Sequence, residues 1–164
     1  MVLVGLTATA LALLSIGALE PQISRNQLDL VRARYFAEAG IEHAYDTLAL
    51  NAGAWSGYLI GATCTAGTLL ADGTLPERPR AHGYFVVRLR NDCAPGDERL
   101  TGVPSEDGTD PTRDANGKVV VSSTGIVARA HHTITAVISD DRVSRDPGQS
   151  VPRNLVRTYN WADH

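Results

Sequence analysis

Residues 1–49 read MVLVGLTATALALLSIGALEPQISRNQLDLVRARYFAEAGIEHAYDTLA. The stretch opens with an apolar run, Met1 to Leu19, that holds no charged side chain. Past Glu20 and Pro21 it continues as a more polar segment that keeps a helical pattern to about Leu50. An apolar run of this length at 1.5 Å rise spans about 28 Å, close to the hydrocarbon thickness of a bilayer. As one helix the whole stretch would be about 75 Å long, which a small chain has little use for unless the helix inserts into something.

A secretory signal peptide fits this start poorly. Such a peptide needs a cationic leader, a short apolar core and a small-residue cleavage site before the mature fold. Here the first cation is Arg25, and the helical pattern runs through the place where cleavage would fall. The expectation is a chain whose basic leader has been removed upstream of Met1, against a plain signal anchor or a shortened chain. Gly5, Thr7, Thr9, Ser15 and Gly17 are small residues on a Leu, Val and Ala background, which lets helices approach closely. An ordinary single-span anchor would merely tolerate them. Pro21 removes a backbone donor, so a kink or a melted turn is expected there.

From Gln22 onward, Ile23, Leu30, Ala37, Ile41, Ala44 and Leu48 recur at spacings of three, four and seven, which sets them on one helix face. Leu28, Val31 and Tyr35 form a second apolar strip, so this half is expected to be covered on more than one side. Arg34 and Glu38 are four apart and can pair. Asn51 and Gly53 end the helix with residues that accept left-handed geometry.

Composition limits the rest. The chain has 164 residues, room for one soluble domain beyond the anchor. A formal net charge of −3, scattered arginines and no basic stripe argue against nucleic-acid binding. Cys64 and Cys93 are an even count in a chain that reads as exported, so one disulfide is expected. Two free buried thiols in a cytosolic protein are the alternative, and the spacing is not that of a zinc site.

The apolar start, the proline near its end and the segment RNQLDLVRARYFAEAGIEHAYDTL together resemble a type IV pilin-like protein. More specifically, they resemble PilX-type minor pilins and the related GspK-type pseudopilins of type II secretion, with YFAEAGIEHAYDTL (Tyr35 to Leu48) the most specific part. That resemblance implies an N-terminal helix held in the inner membrane and later packed into a filament core. It implies a leader cut by prepilin peptidase just before Met1, whose amine would then be methylated. Partners would be other minor pilins and the major pilin through the helix, and a PilC/PilY-type tip adhesin. The setting would be the inner membrane, with the head in the periplasm, and the extracellular pilus of a Gram-negative bacterium. Most pilins carry glutamate at the fifth mature position, thought to pair with a neighbour's terminal amine. Gly5 stands there if Met1 is the mature start, and a subunit lacking that carboxylate is expected at the tip, with no neighbour above it.

The remainder reads as a β-rich head. Ala54 to Gly83, with Gly57, Gly61, Gly67, Gly73, Pro76 and Pro79, is expected to be loop, with Trp55 and Tyr58 packing back on the helix and His82 at the surface. Tyr84 to Arg90 is the first strand. Asn91 to Gly117 is a long acidic loop in which Asp107, Asp110, Asp114 and Asn116 invite a calcium reading. The EF-hand spacing fails, so a solvated turn is preferred for 105–117, and Asn116-Gly117 signals a hairpin turn. Lys118 to Thr124 and His131 to Ser139 form a strand pair across Gly125 to Ala130, with His131 and His132 on opposite faces. Its NGKVVVSSTG lead-in also resembles the C-terminal sheet of PilX-type proteins. Arg153 to Trp161 is a last strand, with Leu155, Tyr159 and Trp161 on one side. No hydrolase, metalloprotease, P-loop or dinucleotide signature is present, and no cofactor or catalytic residue is expected.

The expected fold is α+β and lollipop-shaped. Residues 1–21 form a membrane-spanning or filament-core half-helix, 22–52 an amphipathic half, and 53–164 a head with an antiparallel sheet of about four strands. The expected function is structural: a minor pilin that primes type IV pilus assembly at or near the tip. A GspK-like minor pseudopilin and a membrane-anchored periplasmic binding module are the alternatives.

Overall fold

The computed structural model describes residues 2–51, 53–76, 78–140 and 155–159, with the side chains of 2–19 and 155–159 excepted. One helix, α1, runs over Val2–Leu50, 49 residues, and passes through Pro21 without a break. The melted turn expected at Pro21 is therefore absent. At the other end the Asn51 side chain donates to the Thr47 carbonyl at 2.9 Å, and the buried Trp55 indole donates to the Leu48 carbonyl at 3.0 Å. Gly53, at φ 85°, then turns the chain out of the helix.

The head is an antiparallel meander. Strands β1 (Thr68–Gly73), β2 (Tyr84–Asn91), β3 (Lys118–Val127), β4 (Ala130–Asp140) and β5 (Leu155–Tyr159) lie in that order, each antiparallel to the next. The sheet thus has five strands where about four were expected. The extra one, β1, falls in the segment read as loop. It is a short edge strand whose register slips between Leu69 and Ala71, so its pattern never settles into alternation. β3 runs straight through Gly125, which the sequence assigns to a connection, and the true turn is only Ala128–Arg129. Asn116-Gly117 makes no hairpin: Gly117 takes φ 70°, but the bend leads out of the acidic loop into β3. That loop also carries one helical turn, α2 (Glu98–Thr101).

The sheet's inner face presents Phe85, Val87 and Leu89 from β2, Val119, Val121 and Val127 from β3, and Ile134, Ala136 and Ile138 from β4. Ala33, Phe36, Ala37, Ile41, Ala44 and Leu48 of α1 close the core from above, with Trp55 and Leu59 at its end. Contact is closest through glycine. A Cβ on Gly125 would overlap the Ala33 carbonyl oxygen and lie 2.5 Å from the Ala37 nitrogen and 2.9 Å from Phe36 Cβ. Across from it, a Cβ on Gly40 would meet Ser123 Oγ and the Val87 and Phe85 side chains. Gly125 is in a strand because helix backbone lies on it.

Gly125→Ala should accordingly destabilise the head by about 3 kcal/mol, since the obstacle is backbone that cannot swing aside. Gly57→Ala, where a Cβ meets nothing within 4 Å, should change stability by no more than about 0.5 kcal/mol. Urea unfolding of the two variants, followed by Trp55 fluorescence, checks the contrast.

Candidate assembly helix and head

The helix divides at Ala33. Above it, Ala37, Ile41, Ala44 and Leu48 are buried in the core, as four members of the predicted face. Below it the same face runs bare: Ile23 is 55% exposed and Leu30 51%. The second strip, Leu28, Val31 and Tyr35, lies roughly 120° further round the helix. It is 48%, 50% and 61% exposed, so the head does not provide the cover expected for it. The sheet ends too soon. Its helix-facing glycine meets α1 at Ala33 and Ala37, and every residue from 20 to 32 except the half-buried Asp29 is exposed. The expected Arg34–Glu38 pair forms at 3.0 Å, and Arg32 faces Asp29 at 3.7 Å.

The processed-terminus reading of Met1, the tip reading of Gly5 and the predicted membrane span over 1–19 concern residues outside those described at side-chain level. Among the described residues no helix is long and apolar enough to cross a membrane. Trp161 likewise lies outside the described residues, as do the side chains of Leu155 and Tyr159.

In the head, Cys64 and Cys93 form a disulfide with their Cα atoms 5.0 Å apart. It closes 29 residues of chain, a cross-link worth about 3 to 4 kcal/mol in the chain-entropy view. It ties the segment before β1 to the end of β2, where the acidic loop begins. That loop is organised by polar contacts instead of a core of its own. Arg90 reaches Asp97 through a bidentate pair, 2.7 Å at Nη2, and the same carboxylate accepts the Ala94 N–H at 2.9 Å. Asn91, fully buried, donates to Glu106 and to the Arg113 carbonyl, both at 2.8 Å. Glu106 in turn accepts the N–H groups of Ala115 and Asn116.

The residues that invited a calcium reading are engaged within this loop. Asp107 accepts the Thr109 N–H, Asp110 the Thr112 N–H, and Asp114 the N–H groups of Gly117 and Lys118, while Asn116 donates to Asp92 at 3.0 Å. Among the described residues no three His, Cys, Asp or Glu side chains are grouped to hold a metal ion. His131 and His132 pair with Ile126 and Gly125 and so stand on opposite faces of β4.

Burial sets the electrostatics here. It raises Asp114 to about 6, against the two backbone donors, with the charges of Glu106 and Asp92 adding to the rise. Burial also pushes Asp92 above the usual carboxylate range; its Oδ1 has no hydrogen-bond partner among the described residues.

Three features were not read from the sequence. The Arg90–Asp97 clamp and the Asn91–Glu106 bridge join residues whose spacing carries no motif. The Gly40–Gly125 crossing left a trace only in AEAG, whose small residues mark a face under close contact. No family model, curated protein or solved structure matches the chain.

A raised carboxylate favours the protonated fold, so the contribution of Asp114 to stability is highest below the unfolded value near 4 and is lost as pH rises through about 6. The head should therefore lose about 1 kcal/mol between pH 5 and pH 7.5 from Asp114, allowing for solvent screening. Asp114→Asn, which keeps an acceptor for both N–H groups, should flatten that slope. Thermal melts of the two proteins at the two pH values measure it.

Proposed function

We propose that the chain is a structural, pilin-like subunit: a minor pilin that primes filament assembly and sits at or near the tip of a type IV pilus. The observation that carries this reading is the bare lower half of α1. Ile23, Leu28, Leu30, Val31 and Tyr35 sit on two faces of a helix that its own head leaves uncovered. Burying the exposed half of each would contribute about 1 kcal/mol per side chain. A ring of neighbouring helices covers both faces at once, whereas a single flat surface covers only one. Two further features support the reading. The head is small, a meander clasped to the end of a long helix, and it is stapled by a disulfide that belongs to an oxidising compartment.

The GspK-like alternative fits less well. A pseudopilin of that type carries a large helical insertion, and the only α-helix in the described head is the four-residue α2.

Val31→Asp places a charge on the bare strip and touches nothing in the core. In the producing strain it should leave the head folded, with the disulfide formed and the melting temperature unchanged, while surface filaments are reduced to near the level of a gene deletion. Normal piliation, motility and secretion in the deletion strain would rule out the filament reading and leave a membrane-anchored binding module.

A further inference from the structure

A cleft of about 680 Å³ opens where α1 leaves the head. Phe36, Leu75 and Val127 give it an apolar floor, and Tyr35 stands at its mouth. Arg32, Arg78 and His82 line the rim, with Asp29 the only acid among the described lining residues. Asp29 already faces Arg32 at 3.7 Å, whereas Arg78 and His82 form no ion pair with any described residue. Among these described groups two arginines stand against one aspartate.

The walls are held in place. Arg80 grips Asp72 of β1 through two bonds of 2.7 and 3.0 Å and lies 4.1 Å from the Tyr84 ring centroid. That fixes the 78–82 segment from its far side and leaves Arg78 and His82 over the cleft. Gly83, at φ 137°, gives Phe36 room beneath it: a Cβ there would lie 2.9 Å from Phe36 Cδ2. On the opposite wall Ala128 occupies a left-handed conformation at φ 51° in the β3–β4 turn, a geometry unfavourable for a residue with a Cβ.

We propose that this cleft docks an acidic protein segment that seats one apolar side chain on the Phe36–Leu75–Val127 floor and sets a carboxylate against Arg78. An apolar anchor in a preformed pocket with charges at the rim is how short segments are recognised. A small ligand is disfavoured because the site does not enclose: Tyr35 is 61% exposed, and drug-sized ligands are mostly engulfed. A lipid headgroup is disfavoured by distance. Arg32 is about 20 Å along the helix from Leu19, and the headgroup layer is only about 5 to 8 Å deep. The proposal rests on the cleft and, in setting lipid aside, on the reading in which residues 1–19 span the bilayer; it holds whether or not the chain enters a filament.

The test uses the full chain, disulfide intact, in nanodiscs of zwitterionic lipid. The probe is an acetylated peptide of aspartate and glutamate around a central leucine, followed by amide NMR. Peptide should shift the Arg32, Arg78, His82 and Val127 signals. Arg78→Glu, at an exposed position that leaves the melting temperature unchanged, should weaken binding by about tenfold, and so should serine in place of the peptide's leucine. Unmoved cleft signals, equal binding of a lysine-for-acid peptide, or unchanged affinity in Arg78→Glu would overturn the proposal. So would the same shifts produced without peptide by nanodiscs containing phosphatidylglycerol, which would make the occupant a lipid.

Discussion

Where α1 crosses the sheet, backbone meets backbone. Gly125 of β3 lies under the Ala33 carbonyl and the Ala37 nitrogen, and Gly40 of the helix lies over Ser123. Contact this close leaves no room for side chains at the centre of the crossing, so the large residues Phe36, Ile41 and Leu48 spread to its flanks and the alanines fill the middle. Register along the helix is then a steric matter, because sliding by one residue would bring a Cβ into the strand. Ser123 marks the cost: its buried hydroxyl has no partner among the described residues, a loss of about 1 to 3 kcal/mol that close packing must offset.

That crossing also decides what is left over. It clamps the helix from Ala33 to Leu48 and no lower, so one continuous apolar face is core at one end and surface at the other. The same sequence pattern does two jobs, and only the position of the sheet's end separates them. The far end of the head is built differently. The acidic loop is held by a disulfide, an arginine clamp and a buried asparagine, so its shape depends on polar geometry and on protonation, while the core beside it depends on volume.

Much of this was legible in the chain. Period-3.6 apolar spacing gave α1 its buried face, β-branched runs marked β2, β3 and β4, and two cysteines in an exported-looking chain paired as expected. The misses share a cause. β1 and the β3 turn were hidden because Gly67, Gly73 and Gly125 read as breakers, when each lets another part of the chain approach: a Cβ on Gly73 would press on Phe85 and one on Gly67 on the Leu89 backbone. Local rules assign glycine to turns; only the tertiary fold says which glycines are contact surfaces. At Pro21 the melted turn did not form, because the helix continues through it. The cleft was invisible because its walls come from α1, the β1–β2 connection and the β3–β4 turn, which nothing in the sequence brings together.

The most direct measurement is native-state hydrogen exchange of the amides along α1 in the full chain before any assembly. If the sheet clamps the helix only from Ala33, amides from about residue 37 to 48 should exchange through global unfolding of the head. Those from 23 to 32 should exchange orders of magnitude faster, through local fraying alone. Uniform, globally limited protection from 23 to 48 would contradict the division of the helix into a clamped half and a bare one.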